Sequence, residues 1–559
     1  MNKRLLIFKQ SFFMILILFS SVIIISTLLG WGKIMDMLSG TLFSSISGKA
    51  FSGIFIISVI WTLIAFFIPL NINVEITTIA IGLFFFFKDK LYLEYYQFSK
   101  KDMILLTAIV LIILFCGSYY PYILDHFGYY VPSIKWLTEY GLVKGISNLD
   151  LTLGQMSVWH IFQAGFSNFS DPFLRINVII LIIYAFYIIE KKSWIQLGFL
   201  PVMLLFSQSP SPDLPVIIFS LIILNEILSE NKKSTLLFAL SVFIFTIKPT
   251  MIWLPVLSLL YSVFIIKSPV KNIFLGIVIL ILFFVKNIWT FGYPVFPIAF
   301  IDLGISWKTN PEILKRSSQF AIQKTYDMQY TFEEIQKFSS IDYIKNWLFL
   351  KGIKAKINIL FIVTLLLLIL YSVRKKNRVI NLITISIIIK TILVLLFSAQ
   401  YRFFIDVFFI VAFILFSHYI NRSKSIAIFS IAGTCVIFFF LFPSLIATHI
   451  PSYKMARFMG KFEKKQIYQP SAYQYTPFRS FRIGNLIFNV PENYPYSFGT
   501  PLPSMTVSYI IDNANANIFP QPINKNNIRE GFVWKTMNMK EKKEAMRVIN
   551  IIINNNKQN

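Results

Sequence analysis

The sequence predicts an all-α polytopic membrane protein, and three observations predict it. Hydrophobic residues make up 56% of the 559 residues and charged residues only 14%, whereas a soluble chain carries roughly a quarter charged. Apolar runs approaching or reaching the ~20 residues that cross a bilayer recur along the whole length. Lysines and arginines gather in alternate loops between those runs, the pattern of a chain that crosses back and forth.

The apolar runs fall at 8–29, 51–70, 73–88, 103–119, 174–189, 194–207, 214–229, 234–247, 251–266, 272–285, 355–373, 378–397, 402–420 and 424–447. Several are shorter than a full span, and the expected number of transmembrane helices is about 13 or 14. The first run follows "MNKR" and reaches Leu29 with no small-residue cleavage site, which predicts an uncleaved membrane segment. From the fourth run on, "KDKLYLEYYQFSKKD", "EKKS", "SENKKS", "IKSPVK", "VRKKNR" and "NRSKS" are cytoplasmic by the positive-inside rule. The loops between them then face outward: 119–173, 207–215, 246–250, 286–354, 398–404 and everything after about 448. Counting back from 88–102 puts the N-terminus outside despite its "NKR", so either an early run does not span or the rule fails there. The expected organisation is a multispanning membrane domain over 1–447, containing the outward loops 119–173 and 286–354, and an extracytoplasmic tail over 448–559. That tail holds strand-like pieces such as "NLIFNV" and a final basic helix.

The net charge of +26 fits cytoplasmic loops and anionic lipid surfaces, so membrane lipids are expected partners and nucleic acid is not. Cys116 and Cys435 both lie in apolar runs without metal-ligand spacing and read as packing residues. No phosphate-binding glycine loop, dinucleotide fingerprint, HExxH or nucleophile elbow occurs. The four histidines are scattered. No cofactor is indicated, and no metal site; a divalent metal is left open.

The polar residues of interest stand in the outward loops. Asp125 lies in "YYPYILDHFGYY", beside Tyr129 and Tyr130. The following stretches "VPSIKWLTEYGLV" and "LGQMSVWHIFQAGF" are short amphipathic patterns, with Trp136 and Trp159 expected at the membrane interface. Asp213 in "SPSPDLP" has helix capping as its plain reading and a role in chemistry as the other. Lys248, Lys286 and Arg402 each stand at the outer end of an apolar run. Snorkelling explains any one of them, while three on one face suit a phosphate. A carboxylate beside an interfacial phosphate site suits sugar transfer from a polyprenyl-phosphate carrier, with the carboxylate as general base and the cations stabilising the leaving phosphate.

The stretch "LDHFGYYVPSIKWLTEYGLVKGISNL" resembles the Tyr-Asp-x-x-x-Tyr-His…Lys-Trp…Glu-Tyr-Gly…Gly-x-x-Asn-Leu signature of an uncharacterised family of bacterial multispanning proteins. That family is in turn similar to the GT-C membrane glycosyltransferases. The resemblance extends to "SPSPDLP", to "KNIWTFGYPVFP" with its Tyr293, to Arg402-Phe403 and to "TPLPSM". It implies a GT-C-like fold in a bacterial inner membrane, an active face outside the cytoplasm, and Asp125 at the catalytic acidic position. The donor it implies is a polyprenyl-phosphate-linked sugar; the acceptor, whether glycan, lipid or protein, stays open. The chain departs from the signature at Leu124, Tyr130, Asp150 and Thr152, which replace Tyr, His and a His-x-Arg pair and count against a metal role. Two other readings stand beside this one: an O-antigen-type polysaccharide polymerase or ligase, and a lipid or polysaccharide transporter. The transporter would need ionisable residues in mid-membrane, and the apolar runs read as holding few.

Overall fold

A computed structural model describes residues 14–449 and 460–557; the start of the first apolar run, 8–13, lies outside them. The chain is mostly helical, as expected. Among the described residues seven helices are long and apolar enough to cross a membrane: 16–39, 46–65, 249–266, 270–291, 353–375, 378–397 and 422–441. Four shorter apolar helices join them: 176–190, 195–206, 234–247 and 405–416.

The expectation of 13 or 14 full spans is met only in its coarser form, and the reason lies in the centre of the bundle. Ile176–Glu190, Asp213–Leu228 and Ser234–Ile247 have 15, 16 and 14 residues. At 1.5 Å per residue they are roughly 21–24 Å long, short of the ~30 Å hydrocarbon core. Nearly every residue in them is buried. Their ends meet other protein, so irregular backbone can close them without exposing unpaired peptide groups to lipid. The lipid-facing role falls to longer peripheral helices such as Ile353–Lys375, of which only 17% of the apolar window is buried.

The first helices pack through small residues. A Cβ on Gly30 would lie 1.8 Å from the carbonyl oxygen of Gly82, and one on Gly53 would lie 2.0 Å from that of Leu28. Only glycine lets these backbones approach so closely, and where apolar burial gives helices no drive to associate, such close packing supplies it.

Loop contacts sort the chain into two faces. On one, Glu190 accepts from the backbone N–H of Ile46 (3.0 Å), Asn231 Nδ2 donates to the Leu42 carbonyl (3.0 Å), and Arg422 pairs with Asp102 (2.9 Å). This face collects the lysine-rich turns. On the other, Leu70 N–H donates to Leu137 (2.9 Å), Gly145 N–H to Trp289 (2.8 Å), Ser471 N–H to Ser118 (2.8 Å) and Phe532 N–H to Lys144 (2.9 Å). The turn before Ile46 belongs to the first face, the turn after Ala65 to the second and the turn after Lys88 to the first. Ile46–Ala65 and Ile72–Lys88 therefore each run from face to face, which fits the alternation counted from the charges.

The tail is bonded to the loops rather than standing off them. It holds two antiparallel hairpins, Phe478–Ile483 with Leu486–Pro491 and Ile518–Pro522 with Phe532–Thr536, and the basic helix Met539–Lys557. The first hairpin turns through Gly484-Asn485, with Gly484 at φ 59°, a left-handed position that glycine adopts at little cost. Arg175, 2% exposed, donates to the carbonyls of Gly117 (2.8 Å), Tyr119 (3.1 Å) and Ser471 (2.7 Å). One buried guanidinium thus joins a membrane helix, the first loop and the tail.

A candidate functional site of paired charges

Four of the loop residues singled out in the sequence converge. After the helix Lys100–Gly117 the chain runs without regular secondary structure to Ile123, then enters a π-helical turn, His126–Tyr130, with Asp125 at its start. Such wide turns recur at functional sites. Asp125 makes no capping bond; its carboxylate accepts from Arg402 Nη1 at 2.8 Å. Arg402 sits on the short turn Tyr401–Phe403 between Arg378–Phe397 and Ile405–Phe416. The two side chains are 38% and 36% exposed, and Arg402 Nε is buried with no partner.

Asp213 begins its helix but does not cap it, so the capping reading is corrected. Its carboxylate forms an ion pair with Lys248, which stands in an extended link after Ser234–Ile247. Lys248 also lies over the Phe403 ring at 5.1 Å. Burial works against the charge of Arg402, yet Asp125 and then Asp213 hold its basicity above the ordinary value. Lys324, on the helix Pro311–Thr325, joins from another loop; burial and Arg402 push its amine down while Asp125 acts the other way. The sequence reading missed Lys324. Two cations thus pair with two carboxylates, and Lys324 stands within electrostatic range of them.

Tyr129 and Tyr130 line this cluster, their rings 4.6 Å apart. Tyr130 donates to Ser211 Oγ (3.4 Å), whose hydroxyl in turn reaches Asp213 (3.4 Å). Burial, and then in each case neighbouring acidic groups, raise both phenols above their ordinary value, so they stay neutral donors. Behind them the His160 ring lies tilted against Tyr130, centroids 4.8 Å apart, and is pushed down to about 3, first by burial and then by Lys286. His126 shares a hydrogen bond of 3.0 Å with Ser209 Oγ; burial first and Arg175 next keep it neutral.

Other expected residues are placed elsewhere. Lys286 is fully buried and donates to the carbonyls of Gln155 (2.7 Å) and Met156 (3.0 Å). It is satisfied by backbone, so it neither snorkels nor faces the cluster. Tyr293, 2% exposed, packs with Leu151, Phe291 and Leu314 in a separate small core. Trp136 and Trp159 are not interface anchors: both are fully buried, and Trp159 Nε1 donates to Asn177 (2.9 Å). Asp150 accepts from Thr152 N–H (2.8 Å) and caps the turn Leu151–Gln155. Among the described residues, no three of His, Cys, Asp and Glu gather to hold a metal.

The apolar runs also hide a buried charge pair. Lys390 and Asp406, 0% and 4% exposed, form an ion pair between neighbouring helices, and Trp253 Nε1 donates to Asp406 at 2.9 Å. The signal was present as "IIIKTIL" and "FFIDVFF", ionisable residues set inside apolar sequence.

Over residues 14–409 the chain matches a family described as a domain of unknown function (DUF8201). No curated protein and no solved structure matches it.

Proposed function

The chain belongs to the DUF8201 family, and from its charged cluster we propose that it is a GT-C-like membrane glycosyltransferase acting on a polyprenyl-phosphate-linked sugar at the face that carries the tail. The observation that carries this reading is the open Asp125–Arg402 pair next to Asp213–Lys248. Arg402 offers a planar fork and Lys248 a point charge, the two complementary ways of holding a phosphate. A phosphate that engages Arg402 frees the Asp125 carboxylate. Asp125 then takes the proton of an acceptor hydroxyl as its oxygen bonds to the anomeric carbon. The carbon–oxygen bond to phosphate breaks, and the phosphate leaves with that electron pair onto Arg402 and Lys248. The donor arrives already activated on its lipid, so no nucleotide-binding motif is required. On this reading the lysine-rich face is cytoplasmic and the membrane is a bacterial inner membrane.

The test is Asp125→Asn in purified protein in nanodiscs, assayed with polyprenyl-phosphate hexoses as donors. Transfer should fall by about 100-fold or more, with undecaprenyl phosphate binding retained. Normal transfer by Asp125→Asn with loss in Asp213→Asn would exchange the two roles. Normal transfer by both would end the reading. The buried Lys390–Asp406 pair favours a second reading, a transporter of such lipids; flux across proteoliposomes without any new glycosidic product would select it.

A further inference from the structure

We infer that the helix Ser340–Leu348 is an interfacial helix, with Ile341, Ile344 and the following Phe349 immersed at the headgroup–acyl boundary of the leaflet on the tail side. The argument begins with its two faces. Trp347 is 5% exposed, and its Nε1 donates to the Ala399 carbonyl at 2.8 Å. That contact fixes which side meets protein. Ile341, Ile344 and Phe349 are 75%, 63% and 68% exposed; a soluble surface seldom keeps three large apolar side chains of one short element so open.

The level of the helix in the membrane follows from its neighbour. The peripheral span Ile353–Lys375 starts five residues after Leu348. Asn358 Nδ2, in its second turn, donates to the Trp347 carbonyl at 2.8 Å. The short helix therefore lies level with the first two turns of a membrane span, where polar "KAKIN" gives way to "ILFIVTLLLLIL". That is the boundary itself. Lys345, Lys351 and Lys356 supply cations close in sequence to this boundary, suited to lipid phosphates, while Lys354 is paired with Asp327; aliphatic and aromatic side chains suit the layer beneath. The partner is thus the lipid surface, not a protein. The first loop, where the sequence suggested such helices, buries Val131–Glu139 under the tail and Val158–Gly165 against Ile46–Ala65, and leaves this role to the second.

The inference does not depend on sugar transfer. Ile344→Cys, and separately Ile341→Cys, are made in a Cys435→Ser background and labelled with an environment-sensitive fluorophore. The full chain is placed in nanodiscs of phosphatidylcholine and phosphatidylglycerol, and Lys543→Cys on the tail helix serves as the aqueous reference. Both labels should emit further to the blue than the reference. Lipids carrying a nitroxide high on the acyl chain should quench them several-fold more strongly than aqueous iodide does, and the reference should show the opposite order. Iodide dominating at both positions, as at Lys543, would overturn the inference whatever the protein's activity.

Discussion

Two ion pairs meet at the turn 398–404 and its flanking helices, and they differ in what they leave open. Lys390–Asp406 is sealed between helices, with both side chains buried and Trp253 completing the carboxylate's partners. Asp125–Arg402, whose arginine belongs to that turn, is more than a third exposed on both partners and leaves Arg402 Nε unpaired. The chemistry of the two pairs is the same. A sealed pair can only hold the helices that carry it, because removing either charge strands the other in a medium that cannot solvate it. An open pair can exchange its partner, because water or an incoming anion can take over either half. Burial, not residue type, divides the structural pair from the candidate site.

The largest expected effect breaks the sealed pair. Lys390→Met leaves Asp406 uncompensated and should cost about 3–5 kcal/mol, seen as a lowered unfolding midpoint of the detergent-solubilised protein. Adding Asp406→Leu should recover most of that loss. A harmless single change would mean that water reaches the pair, and the contrast would fail. Next, Arg402→Gln should cost less than about 1 kcal/mol of stability, since Asp125 is open to water. It should nonetheless weaken undecaprenyl phosphate binding by about 10-fold or more, the worth of a charge-assisted hydrogen bond. Equal effects on stability and binding would place Arg402 with the sealed pair. The smallest effect sharpens the link between the two. Trp347→Phe removes the hydrogen bond to Ala399 and should cost ~1 kcal/mol, measured as faster protease cleavage within 398–404 at an unchanged global midpoint. An unchanged cleavage rate would show that the turn holds its shape without the interfacial helix.

The site was partly legible in advance because its residues interrupt an apolar sequence. Asp125, Asp213, Lys248 and Arg402 were visible as ionisable groups at the ends of hydrophobic runs, and the alternation of lysines put them on one side. Lys286 shared every one of those signals, yet turns inward to two backbone carbonyls. Lys324 had no apolar run to mark it and entered the cluster from a loop helix. Trp136 and Trp159 carried the aromatic signature of an interface but lie in the core, Trp136 under Phe532 of the tail and Trp159 among the helices of the bundle, where it bonds Asn177.

The sequence by itself determined the solvent of this chain. Its apolar runs and sparse charge require a membrane, and its lysines divide the loops into two sets, because transfer of charge into hydrocarbon is costly wherever the chain folds. It also determined the local turns, such as Gly484-Asn485 in the tail hairpin. Only the tertiary structure decided which helices face lipid and which are enclosed, which cations meet carboxylates, and which of two similar ion pairs stays open. Those outcomes depend on distances between segments far apart in the chain. Arg402 and Asp125 are 277 residues apart in sequence and 2.8 Å apart in space, and no local pattern encodes that meeting.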